Sequence, residues 1–96
     1  MPRAVKTLGR EALTVSTASV APTIPAETTM FIAVVKTAAI RFRSDGTAPT
    51  AAVGHPLEVG DVLNFADGFD YRQFLTDLKL IRRDAVDAVV EFLFLG

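Results

Sequence analysis

His55 is the single histidine of the chain and there is no cysteine, so imidazole- or thiolate-based catalysis has one residue to draw on. Gly54 and Pro56 flank it, and neither a second histidine nor a thiolate completes a zinc set, which makes it a loop-bracing or surface side chain. Asp67 and Asp70, with Asp61 nearby, are carboxylates whose oxygens can hold calcium. Their spacing lacks the pattern of an EF-hand loop and suits turn formation and helix capping instead. Neither a GxGxxG nor a P-loop pattern is present. Seven of the eight aromatic residues are phenylalanines at core-like positions, whereas a sugar platform calls for exposed Trp or Tyr, and the chain has no Trp and one Tyr, Tyr71. The expectation is a protein that is not an enzyme, with no cofactor and no metal.

The turn-forming residues concentrate in Ala39-Ile40-Arg41-Phe42-Arg43-Ser44-Asp45-Gly46-Thr47-Ala48-Pro49-Thr50, closed by Gly54-His55-Pro56-Leu57. The first part alternates strictly: Ile40 and Phe42 face one way, Arg41 and Arg43 the other, as in a strand with one exposed face. The rest, from Ser44 to Pro56, reads as a long loop in which Asp45-Gly46 favours positive φ at the glycine. Gly46 to Gly54 carries no charge. Loops of that length in small domains tend to be functional or to pack on something, so Asp45, Gly46, Thr47, Pro49, Thr50, Gly54 and His55 are candidate contact residues.

Other strands must support this loop. Ala12–Ser16 alternates and reads as a short first strand after an N-terminal arm, residues 1–11, whose Arg3, Lys6 and Arg10 are candidate contacts to an acidic neighbour. Val20–Ala26 holds Pro22 and Pro25 and is a connector, with Ile24 set against the core. Thr28–Lys36 is rich in β-branched and aromatic residues, as in a strand covered on both faces. Gly60-Asp61 separates Leu57–Val59 from Val62–Phe65 and suggests a tight hairpin or bend. Tyr71, Phe74, Leu75 and Leu78 have helical spacing with Asp70 placed as an N-cap, which predicts a helical turn or two near Tyr71–Leu75 and then a strand over Lys79–Arg83. A helix continuing to Arg82 is the alternative. Ala88–Leu95 is the last strand, apolar on both faces, and must lie centrally in its sheet or against a partner. The sum is an all-β domain, residues 12–96: a small antiparallel sandwich or barrel of six or seven strands with one short helical turn.

Ten basic against eleven acidic residues exclude the basic patch that nucleic acid demands. The longest uncharged run, Ala12–Ala26, is broken by two prolines and does not span a membrane. An apolar fraction of 50% in 96 residues exceeds what one small core absorbs, which points to oligomerisation or assembly.

The block from Ala39 through Asp45-Gly46-Thr47-x-Pro49-Thr50 to Gly54 and Gly60-Asp61, followed by Phe74–Arg82 and Ala88–Leu95, resembles small proteins of tailed bacteriophages. The likeness covers about residues 28–95, leaving out the N-terminal third, and departs at Phe92–Leu95, where a tyrosine-bearing polar alternation is usual. It implies a virion structural protein made in a bacterial cytoplasm, without choosing between capsid, head-tail and tail. Small size, near-neutral charge, surplus apolar surface and an N-terminal arm point first to a capsid decoration or cement protein that contacts the major capsid protein and its own copies, with a trimer favoured. A head-tail or tail-fibre component, or a glycan-binding module presenting residues 44–56, are the alternatives.

Overall fold

The structure, a computed structural model, describes residues 6–50, 52–67 and 69–96. These form β1 (Thr7–Val15), β2 (Met30–Lys36), β3 (Ile40–Arg43), β4 (His55–Leu57), β5 (Val62–Phe65), α1 (Arg72–Asp77), β6 (Lys79–Arg82) and β7 (Ala88–Leu95). All strand pairs are antiparallel, in a four-stranded sheet of order β1-β7-β2-β5 and a three-stranded sheet of order β4-β3-β6. This is the small all-β fold that the alternation patterns predict.

β7 occupies the centre of the larger sheet, as its two apolar faces require. It turns Val90, Phe92 and Phe94 inward and leaves each of them at most 2% exposed. Phe31 and Ala33 of β2, Ile40 of β3 and Leu80 of β6 meet them from both sheets. α1 closes one end of this core with Phe74 and Leu75. The Phe65 ring lies 4.9 Å from Phe74, 5.1 Å from Phe31 and 4.8 Å from Tyr71. The helix stops after Asp77 because Leu78 is extended, at ψ 125°, and leads directly into β6. Tyr71, not Asp70, takes the N-cap position, since its N–H is held by the Thr29 carbonyl at 2.6 Å; the Asp70 carboxylate accepts from the Arg72 N–H at 3.0 Å instead.

The sheets are stitched together at both sides. Val20 and Leu80 exchange backbone hydrogen bonds of 2.8 Å each, and Val35 accepts from Gly60 and donates to Asp61. The passage from β2 to β3 is a three-residue turn: Ala38 N–H donates to the Lys36 carbonyl around Thr37, whose φ is +75°.

Two further expectations about the strands need correction. Gly60-Asp61 does not close a hairpin, because β4 pairs with β3 and β5 with β2; the turn carries the chain from one sheet to the other, with the Asp61 carboxylate accepting from the Glu58 N–H at 2.8 Å. The first strand begins at Thr7 instead of Ala12, so Thr7–Glu11, assigned to the arm, belong to the sheet. Pairing with β7 holds them there, and the inward Glu11 carboxylate is satisfied by the Thr23 N–H at 2.8 Å.

Candidate functional site

The loop that the sequence singles out spans residues 44–54, because His55 and Pro56 already belong to β4. Asp45 accepts from the Thr47 N–H at 3.1 Å and from the Arg43 guanidinium, and these bonds, Arg43 first, hold its carboxyl below the usual carboxylate range. Gly46 has φ +82° in open space, and its carbonyl accepts from Lys79 Nζ at 3.3 Å. Pro49 is buried. Thr50 and Val53 exchange backbone hydrogen bonds, and Thr50 Oγ1 accepts from the Val53 N–H at 3.0 Å. Gly54 sits at φ +139° where a Cβ would come within 3.1 Å of the Phe42 carbonyl oxygen, and its own carbonyl accepts from Arg41 Nη1 at 3.1 Å. His55 stacks on Phe42 with ring centres 5.5 Å apart.

Most of the candidate residues are thus used to shape the loop. Asp45 and Thr50 are internal caps, Gly46 and Gly54 supply backbone geometry, and Pro49 packs inward. Exposed on the loop are Asp45, Gly46, Thr47, Ala48, Thr50, Ala52 and Val53, the last 52% exposed. Arg43, Ser44, Asp45, Val53, Gly54 and His55 line an open groove of about 460 Å³ beside them.

The carboxylates weighed as metal ligands are kept apart by the fold. Asp61 serves the turn between the sheets, whereas Asp67 accepts from the Phe69 N–H and from the Tyr71 hydroxyl, at 3.3 and 2.9 Å, in the approach to α1. That bond raises the Tyr71 pKa above its ordinary value. Among the described residues no cluster of three or more His, Asp or Glu could hold a metal ion.

Of the basic residues assigned to the arm, Arg3 lies outside the described residues. Lys6 is exposed and exchanges backbone bonds of 2.9 Å with Gly96, which prolongs the β1–β7 ladder. Arg10 stands on β1 opposite Leu93.

A second surface is the outer face of the four-stranded sheet. Side chains alternate along each strand, so register places Arg10-Leu93-Ile32-Asn64 in one row, Ala12-Glu91-Val34-Val62 in the next, and Thr14-Val89-Lys36 beside it. Ile32, Val34, Val89 and Leu93 are half-buried and Val62 is 53% exposed. One ion pair, Lys36 to Glu91 at 2.9 Å, crosses this face and lowers the Glu91 pKa. The missing polar alternation in β2 and β7 is the sequence signal for it; which residues adjoin required the register.

Searches of family models, curated proteins and solved structures return no match to this chain.

Proposed function

We propose that this chain is a non-enzymatic structural protein of a tailed-phage particle, a capsid decoration or cement protein acting through contacts with the major capsid protein and with its own copies. The observation that carries this reading is the apolar outer face of the four-stranded sheet, where Ile32, Val34, Val62, Val89 and Leu93 form a surface that the core does not use. Apolar patches of this kind mark contact sites. The loop supports it as well: its signature residues brace their own turns, and beside the exposed Asp45 it presents the small uncharged side chains of Thr47, Ala48, Ala52 and Val53. The likeness of residues 39–61 to phage proteins supplies the setting, the virion.

Quantitative mass spectrometry of purified particles tests the proposal. A decoration protein is present in numbers comparable to the major capsid protein, and a head-tail or fibre component in far fewer copies. Absence from particles overturns both. The groove beside Asp45 and His55 favours a second reading, a glycan-binding module, which saturable binding on a glycan array would support.

A further inference from the structure

The fold leaves one long strand edge open. β5, β4 and β6 have four, three and four residues, β4 contains Pro56, and the free side of β6 is bridged by Val20. β1 runs for nine residues with neither proline nor lysine; its edge-blunting features are a bulge between Thr7 and Gly9, the inward Glu11 and the single exposed charge of Arg10, and from Gly9 to Val15 its register is unbroken.

The direction of its free groups follows from the ladder. Lys6 and Gly96 exchange both backbone bonds, so the even-numbered residues of β7 turn toward β1. Their partners Gly9, Glu11, Leu13 and Val15 are therefore the β1 residues bonded to β7. Arg10, Ala12 and Thr14 direct their N–H and C=O groups away from the sheet, and among the described residues no backbone group pairs with them. The connector near β1 meets it at the Glu11 carboxylate, through Thr23 N–H, and at Gly9, where the Pro25 ring lies.

We propose that this edge pairs with the same edge of a second copy, antiparallel about a twofold axis at Ala12, joining two four-stranded sheets into one of eight. This register sets Ala12 against Ala12, Arg10 against Thr14 and Glu11 against Leu13. Its three outward-facing pairs form about six backbone hydrogen bonds, two per pair. A shift of the axis to Glu11 or Arg10 opposes like charges. A shift to Leu13 shortens the ladder and calls on Ser16, whose carbonyl already accepts from the Arg82 N–H. Such an isologous contact closes at two copies, in place of the trimer expected from the phage resemblance. It needs only the chain itself and stands or falls independently of the virion reading.

Sedimentation equilibrium of the full chain at ~100 µM, a concentration that populates micromolar complexes, shows a dimer if the pairing forms. Ala12→Pro removes one outward N–H and spares the β7 ladder, so the expected result is a folded monomer. Ala12→Glu and Ala12→Lys each set like charges across the axis and weaken the dimer by more than ~10-fold, while their mixture forms a heterodimer detectable by native mass spectrometry. If the proline variant loses its native circular dichroism, the charge pair decides. A wild-type monomer or trimer at that concentration, or charged variants that dimerise as well as wild type, overturns the proposal.

Discussion

The two sheets obey the same alternation and put it to opposite use. In the three-stranded sheet, the outward residues of β3 are Arg41 and Arg43, which reach the Gly54 carbonyl and the Asp45 carboxylate and so hold the long loop in place. Arg83, just past β6, pairs with Glu58 at 3.0 Å, and Arg82 with Asp87 at 2.7 Å. In the four-stranded sheet the outward positions include the aliphatic Ile32, Val34, Val62, Val89 and Leu93 beside Arg10, Thr14 and Asn64, and among the described residues one ion pair, Lys36 to Glu91, crosses them. One outer face is spent on the molecule's own loop, and the other carries half-buried aliphatic side chains that the core does not use.

The sharpest way to break this contrast is at adjacent residues of β2. Phe31 is fully buried against Phe65, Phe74 and Phe92, so Phe31→Ala should cost about 3–5 kcal/mol and leave the domain largely unfolded in thermal or urea melts. Its neighbour on the outer face, Ile32→Thr, should change stability by less than ~1 kcal/mol, while weakening the particle association that the proposed function requires. A large destabilisation by Ile32→Thr would show that the outer face is covered within the monomer.

The loop offers an intermediate effect. Gly54→Val combines left-handed strain with a collision at the Phe42 carbonyl and should cost about 3 kcal/mol. Gly46→Val meets no neighbouring atom, so backbone strain alone sets its cost, about 1–2 kcal/mol. Equal destabilisation at the two sites in parallel urea titrations would mean that the close approach at Gly54 relaxes freely.

The smallest effect is electrostatic. Hydrogen bonds from Arg43 to Asp45, Arg83 to Glu58, Lys36 to Glu91, and Ser16 and then Arg82 to Asp87, hold these carboxyls below their ordinary values. The folded chain therefore binds protons less readily there than the unfolded one. This stabilisation is complete above the ordinary carboxylate range, near pH 4, and is lost as pH falls through the lower folded values. The melting temperature should stay flat between about pH 8 and 5 and decline below about pH 4, less steeply in high salt. Three of the four groups sit by the three-stranded sheet, so Asp45→Asn, Glu58→Gln and Asp87→Asn together should remove most of the decline, and Glu91→Gln little of it.

What could be read from the chain followed from hydrophobic pattern. β7 was legible to the residue, and its central place follows from two apolar faces; the turn from Tyr71 and the strand from Lys79 follow from a period that changes where Leu78 becomes extended. The first half of β1 was not legible, because Gly9 and Glu11 stand on its inward side and the Thr23 N–H that satisfies Glu11 is invisible in a linear pattern. Gly60-Asp61 marked a turn correctly but could not say that its flanks part into different sheets. At the candidate loop, the positive φ of Gly46 was legible from its dipeptide, whereas the close packing of Gly54 on Phe42 and Pro49 depended on the fold.

The central position of β7 also governs the order in which the molecule can assemble. β1 and β2 are joined through it, in ladders that pair Thr7 with Leu95 and Met30 with Leu95. On a ribosome, the larger sheet has no middle until Ala88–Leu95 has emerged, so the β2 residues Phe31 and Val35 await that strand. Closure of loops this long is slow, placing folding in the millisecond-to-second range typical of non-local β topologies and after translation of the last strand.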